Sequence, residues 1–323
     1  MKDFCILGSG IAGSTIANLL SKKYSVEIFD KARGPGGRVS NRRFKKNLNF
    51  DHGAQYFYPK NTKFKNFLNS LKKKNIVKYW PGEHVNFKKL KTKQKSKFIG
   101  VKGNNDINKY LLKKIKTNFL SKIKRINYDK KVWEICLENG KKINFRNLII
   151  TIPYPQLKIL AKKFLNRSLL NLNVKMSPNI TFMVAYKNQP ILPFSSIKFN
   201  DKIISWAASE NSKKRFKSNL SLWTIQTTDE YSRKYINNYK IKNKFITKDI
   251  LNRLALLLNF DKKNIIFSNI HGWKYSYNLK PTKLNSFFSN KLNLGICGDW
   301  FMGSKVEHAW LSAHDLYKKI YKF

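Results

Sequence analysis

Apolar residues open the chain in a short unbroken run, Phe4-Cys5-Ile6-Leu7, closed by Gly8. A run without polar alternation predicts a parallel strand buried on both faces. From Ile11 the spacing becomes helical, with Ile11, Thr15, Ile16, Leu19 and Leu20 on one face. Lys22 and Lys23 suit the end of that helix, where the dipole favours cations. Val26-Glu27-Ile28-Phe29 restores a strand that stops at Asp30, so the chain begins with a β-α-β unit.

Further along, a Gly/Pro/Arg-rich loop spans Arg33 to Arg43, and a basic region from about 60 to 98 reads as a helix plus an irregular excursion. Ile107, Leu111, Leu112 and Ile115 mark another helix, with Asn104 or Asn105 as its N-cap. Antiparallel strands are predicted at Ile123–Tyr128, Val132–Leu137 and Lys142–Phe145, with a tight turn at Glu138-Asn139-Gly140, and a buried strand at Leu148–Ile152 ends at Pro153. Strands at Ile180–Tyr186, Ile203–Ser209 and Leu220–Thr227 and a helix near Thr247–Leu258 predict a second lobe built on a large antiparallel sheet. Leu292–Cys297 and a last helix carrying Val306, Ala309, Trp310, Ala313 and Ile320 on one face return the chain to the first lobe. The expectation is an α/β protein: a Rossmann-like domain from 1–58, 99–158 and 289–323, and a mixed, largely antiparallel substrate domain from 59–98 and 159–288.

Composition changes this picture little. With 42% hydrophobic residues the chain can build substantial cores, and no apolar run is long enough for a bilayer. The glycines after Leu7 speak against reading the opening as a signal peptide. Three widely spaced cysteines, Cys5, Cys136 and Cys297, fit neither a disulfide framework nor a metal site, and point to a reducing, cytoplasmic setting. The net charge of +47 invites a nucleic-acid or membrane reading. Its lysines are scattered along the whole length beside many Asn, Ile and Phe, the mixture an A/T-rich coding sequence produces, so no specific nucleic acid and no membrane are expected as partners. The densest stretch, Lys88 to Lys97, is the first place to look for an anion patch.

The chemistry lies in Gly8-Ser9-Gly10-Ile11-Ala12-Gly13, a GxGxxG turn. Its glycines permit a tight turn, close approach to a pyrophosphate and close helix–strand packing, while the helix N-terminus offers free amides to phosphate. The turn follows a strand and opens a helix, and Asp30, at the end of the next strand, suits ribose hydroxyls; that combination is specific for a dinucleotide. The turn itself does not distinguish NAD from FAD.

Asp30 is followed by Gly36-Gly37-Arg38, an acid-x5-GGR extension that resembles the flavin-containing amine oxidase superfamily. Gly36–Arg43 and Asp51–Phe57 (DHGAQYF), with Phe98–Gly103, Leu148–Pro153, His271–Tyr275 and Gly298 through Ser312, resemble its renalase-type branch over the whole chain, loosely between 155 and 265. The resemblance implies noncovalent FAD held by Gly8, Gly10, Ile11, Ala12 and Gly13, with Asp30 and Lys31 on the sugar side and Gly37 and Arg38 on the diphosphate side. It implies further contacts from His52, Gly53, Ala54 and Gln55, from Gly298 and Asp299 near the ribityl chain, and from Val306, Glu307 and Ala309 at a helix start facing the flavin's pyrimidine edge. Relatives often carry arginine where Lys274 stands and glycine where His308 stands.

On the substrate side the expected residues are His52, Gln55, Tyr56, Trp273 and Lys274, with Trp206, Trp223 and Tyr275 nearby, since a hydride donor needs a flat apolar slot. The implied activity is oxidation of a small-molecule substrate, isomeric dihydronicotinamide dinucleotides among the candidates, with oxygen as acceptor. Oxidation of a small amine is the alternative, and nucleic-acid binding on a flavin fold a third.

Overall fold

The computed structural model describes residues 1–45, 47–88, 90, 96–188 and 192–321. Strand β1 (Lys2–Leu7), helix α1 (Ile11–Leu20) and strand β2 (Val26–Phe29) form the expected unit. β1 lies between β2 and Lys142–Ile150, parallel to both; Leu294–Ile296 extends the parallel sheet on one side and Lys116–Asn118 on the other. Ile6, Ile16, Ile28 and Ile149 lose all or nearly all exposure in the core between this sheet and its helices. The helix stops at Leu20, so Lys22 and Lys23 fall in the turn beyond its C-cap rather than in its last turn.

Two predicted strands are one. Lys142–Ile150 pairs antiparallel with Val132–Leu137 through its first half and parallel with β1 through its second. The polar Arg146-Asn147 step interrupts the apolar pattern but not the ladder, because Asn147 donates its side-chain amide to the Asp3 carbonyl and Arg146 reaches the Asp3 carboxylate. The helix predicted from Ile107 spans only Asp106–Leu111; Asn105 precedes it, but its side-chain amide donates to the Pro35 carbonyl instead of capping, and Asn104 Oδ1 accepts from Gly100 N.

The second lobe is a six-stranded sheet in the order Ile265–Asn278, Met176–Tyr186, Ser221–Thr227, Ile204–Ser209, Ser196–Lys198 and His84–Asn86. Every pair is antiparallel except the last. Its largest strand, Ile265–Asn278, was foreseen only as a motif around Trp273. Helix Asn243–Leu258 covers one face through Ile246, Ile250 and Leu254.

The expected domain boundaries shift. Helix Thr62–Lys73, assigned above to the substrate domain, buries Phe64, Leu68 and Leu71 in the first lobe's core, with Phe64 and Phe67 against Trp310 of the C-terminal helix Val306–Tyr321. Tyr154, Leu157, Ala161, Leu165 and Leu169 also join a first-lobe core, so that lobe extends past 158. Helical spacing on one face dictates both results. Among the described residues, no helix is long and apolar enough to cross a membrane.

Candidate active site

The glycines of the first turn are not equivalent. Gly8 has φ +100°, and a side chain there would sit 2.8 Å from Thr151 Oγ1. At Gly13 a Cβ would lie 1.9 Å from the Gly8 carbonyl oxygen, so only glycine lets α1 pack on β1. At Gly10 the nearest atom is the Gly36 carbonyl oxygen at 4.0 Å. As N-cap of α1, Gly10 supplies no capping side chain. The first-turn amides of Ile11 and Ala12 have no carbonyl four residues back, and with Gly10 these residues line a cleft of about 300 Å3. The loop folds against this turn: Gly36 N donates to the Ser9 carbonyl at 3.2 Å, and Gly37, at φ +53°, comes so close that a Cβ would be 3.3 Å from Gly10 Cα.

Asp30 braces the same turn. Its carboxylate accepts from Ser9 N at 2.7 Å, Ser9 Oγ at 2.6 Å and Ala32 N at 2.9 Å. It lies outside the cleft lining, and Lys31 is exposed.

Arg38 and Asp299 both line the cleft, from opposite ends of the sequence, and they meet there. Arg38 Nη1 donates to Asp299 Oδ2 at 2.8 Å and to the Ser276 carbonyl at 2.9 Å, and Nη2 donates to Asp299 Oδ1. The two residues expected on the diphosphate and ribityl sides thus form a bidentate pair with each other. Gly298, Val306 and Ala309 line the cleft beside them. Glu307 does not: its carboxylate accepts from the backbone amides of Lys60 and Asn61, just ahead of helix Thr62–Lys73. His308 turns back on its own helix start, where Nδ1 accepts from Lys305 N, and burial and then Lys305 lower its pKa.

Of the expected substrate-side residues only Trp273 reaches the cleft, where it faces Gly53 and Ala54. Its Nε1 donates to the His52 carbonyl at 2.8 Å, and the His52 ring stacks on its indole with His271 edge-on. Burial first, then His271 and Arg42, push His52 down to about 3, so its imidazole is neutral near pH 7. Gln55 points inward, donating to the Asp51 and Gly53 carbonyls and accepting from Lys213. Tyr56 packs beside Trp80 and Trp206, away from the cleft. Lys274 is exposed, as strand alternation next to inward Trp273 requires. Trp223 belongs to the second lobe's core with Phe194 and Phe260, and neither Trp206 nor Tyr275 lines the cleft. Of the basic stretch Lys88 to Lys97, residues 89 and 91–95 lie outside the described residues; Lys97 sits over the Tyr56 ring, and burial lowers its pKa to about 8.

Sequence reasoning missed Thr151, Gln226, Ser276, Tyr277, Ser304 and Lys305 in the lining. Gln226 donates to the Gly53 carbonyl at 2.9 Å, which fixes the wall opposite Asp299. Burial raises the Tyr277 pKa, so its hydroxyl stays protonated. Ser276 and Tyr277 lay just beyond the His271–Tyr275 motif, Thr151, Ser304 and Lys305 lay inside named motifs without being singled out, and Gln226 sat in no recognisable pattern.

Comparison with known proteins bears on the fold that carries this cleft. Residues 6–71 match the model of the NAD(P)-binding Rossmann-like domain. A putative protoporphyrinogen oxidase from Exiguobacterium sp. 255-15 superposes with a TM-score of 0.76 at 9% identity, covering 99% of this chain and 98% of that one. Wild-type putrescine oxidase bound to putrescine matches with a TM-score of 0.71 at 10% identity over 100% and 99% of the two chains. The chain has the fold of these oxidases. An oxidoreductase from Methanosarcina mazei shares it, at a TM-score of 0.70 and 12% identity over 98% of this chain and all of that one.

Proposed function

We propose that the chain is an FAD-dependent oxidoreductase of renalase-like type. The observation that carries this reading is the convergence on one cleft of the uncapped α1 amides, Arg38 and Asp299, from segments far apart in sequence. The residues fit the cofactor: the space beside Gly10 is clear, the helix end favours phosphate, and Asp30 keeps acceptor capacity beside the turn. Ile11, Ala12 and Arg38 would hold the diphosphate, and Val306 and Ala309 at the C-terminal helix start would face the ring system. When bound, FAD supplies the capacity to accept a hydride and pass the electrons to oxygen. The chain's own residues orient the donor: Trp273 and Tyr277 offer flat surface, and Gln226 holds the opposite wall.

Among the described residues the lining contains no histidine, and its one carboxylate is paired with Arg38. That suits a donor whose oxidation needs no protein base, such as an isomeric dihydronicotinamide dinucleotide. The likeness to putrescine oxidase favours a second reading, oxidation of an amine. With Asp299 already paired to Arg38, the cleft offers an ammonium group no uncompensated carboxylate, and Lys305 adds positive charge there.

The purified protein is expected to be yellow and to release FAD on heating. Anaerobic mixing with dihydronicotinamide isomers should bleach the flavin and mixing with putrescine should not; bleaching by the amine alone replaces the first reading with the second. A folded, colourless protein that takes up no FAD removes both.

A further inference from the structure

Behind the Gly53–Ala54 wall lie four charged side chains with no more than 1% exposure: Asp51, Glu210, Lys213 and Arg215. Lys213 Nζ lies 2.8 Å from Asp51 Oδ2 and 2.9 Å from Glu210 Oε2, and donates to Gln55 Oε1 at 3.2 Å. Arg215 Nη1 meets the same Asp51 oxygen at 2.5 Å, while its Nε donates to the Gly100 carbonyl and Nη2 to Asn104 Oδ1. Asn104 in turn gives its amide hydrogens to the Ala54 carbonyl at 2.7 Å and its backbone N–H to Asp51 Oδ1. The quartet pairs two acids with two bases drawn from distant segments: Asp51 ends strand Leu48–Asp51, which packs through Leu48 and Phe50 on Met183, Ala185 and Leu222, and Glu210 to Arg215 come from the connection between strands Ile204–Ser209 and Ser221–Thr227.

A buried ion network gains little stability over apolar packing of the same volume, so its particular effect is directional. Here the bonds end on the wall. Gly53 packs so tightly on the Arg38 carbonyl that a Cβ would be 2.1 Å from it, and Ala54 N donates to that carbonyl at 2.9 Å. Movement of Asp51 is therefore passed to Gly53 and Ala54, and through the Arg38 backbone to the residue paired with Asp299.

We propose that Lys213 and Arg215 are positioning residues, which through Asp51 and Gln55 hold the Gly53–Ala54 wall of the cleft against the second lobe. The consequence for cofactor affinity rests on reading the cleft as the FAD site; the consequence for the wall does not.

The test is amide hydrogen exchange on FAD-free protein, comparing residues 51–55 with residues 6–12 of the first turn, in wild type and Lys213→Met. Exchange at 51–55 is expected to accelerate by roughly tenfold or more while the first turn keeps its rate. The FAD dissociation constant, read by quenching of flavin fluorescence, should rise about tenfold. If Lys213→Met does not fold, Glu210→Gln/Lys213→Met carries the same readout, because it removes one charge of each sign and leaves the Asp51–Arg215 pair. Equal acceleration in both segments, no acceleration, or failure of both variants to fold overturns the proposal in favour of a purely structural network. Wild type that binds no FAD would remove the cofactor reading and leave the exchange contrast to judge the wall.

Discussion

The first turn and the Gly53–Ala54 wall line one cleft but are built by different means. The turn is mostly local: Gly8, Gly10 and Gly13 sit within one loop and the start of one helix, where Gly13 packs on the Gly8 carbonyl and Gly10 borders the cleft, and Thr151 is the distant residue that Gly8 meets. The wall is assembled at long range, its carbonyls held by Gln226 and Asn104 and its flank by Lys213 and Arg215. Local geometry leaves a readable signature in consecutive residues. Long-range geometry leaves single charged or amide residues that look like surface until the fold buries them.

The sharpest way to break the local side is Gly13→Val. With a Cβ 1.9 Å from the Gly8 carbonyl, the variant should lose more than about 4 kcal/mol and fail to yield folded protein. A soluble variant with a cooperative thermal melt would contradict that packing. On the long-range side, Asp51→Asn removes the negative charge facing Lys213 and Arg215 and should cost about 3–5 kcal/mol in denaturant unfolding. A loss below 1 kcal/mol would show the network to be loosely held.

Acid probes both regions together. Burial depresses His52 to about 3, and His84, His271 and His314 each to about 4. The unfolded chain therefore binds more protons than the folded one as pH falls through the ordinary histidine range. Stability from these groups is complete above about pH 6.5 and is lost progressively as pH falls toward 4. A melting temperature that is flat or rises between pH 7 and 4.5 would oppose this. Next in size, Asp30→Ala deprives Ser9 of its carboxylate and should cost about 1–2 kcal/mol, with weaker FAD retention after gel filtration. The smallest effect on folding belongs to Gly10→Val: its branches enter the open cleft, so stability should change by less than about 1 kcal/mol while FAD content falls. Wild-type FAD content in that variant would remove Gly10 from the site.

Much of the frame was legible because hydrophobic period and glycine spacing are local. β1, α1, β2, the meander strands and the C-terminal helix follow from them. The first lobe's true extent was not, since Phe64, Leu68 and Leu71 carry the spacing of a helix but no label for the core they enter. The site divided likewise. Gly10, Arg38, Gly53, Asp299 and Trp273 were expected and line the cleft. Glu307, Gln55 and Tyr56 were placed by proximity to motifs, yet their side chains turn to backbone amides, to Lys213 and to Trp206. Direction along a loop is decided by packing, which a motif does not encode.

The strand Ile265–Asn278 has a mechanical consequence. At one end Ile265 packs against the second lobe's core; at the other, Asn278 donates to the Trp300 carbonyl of the segment that begins with Asp299. Between them it carries Trp273, on the cleft wall, and Ser276, whose carbonyl receives Arg38. One strand thus carries both the indole and the carbonyl that anchors the guanidinium, with the register irregular between Trp273 and Tyr277, so the aromatic part of the cleft and its charged part share a single support.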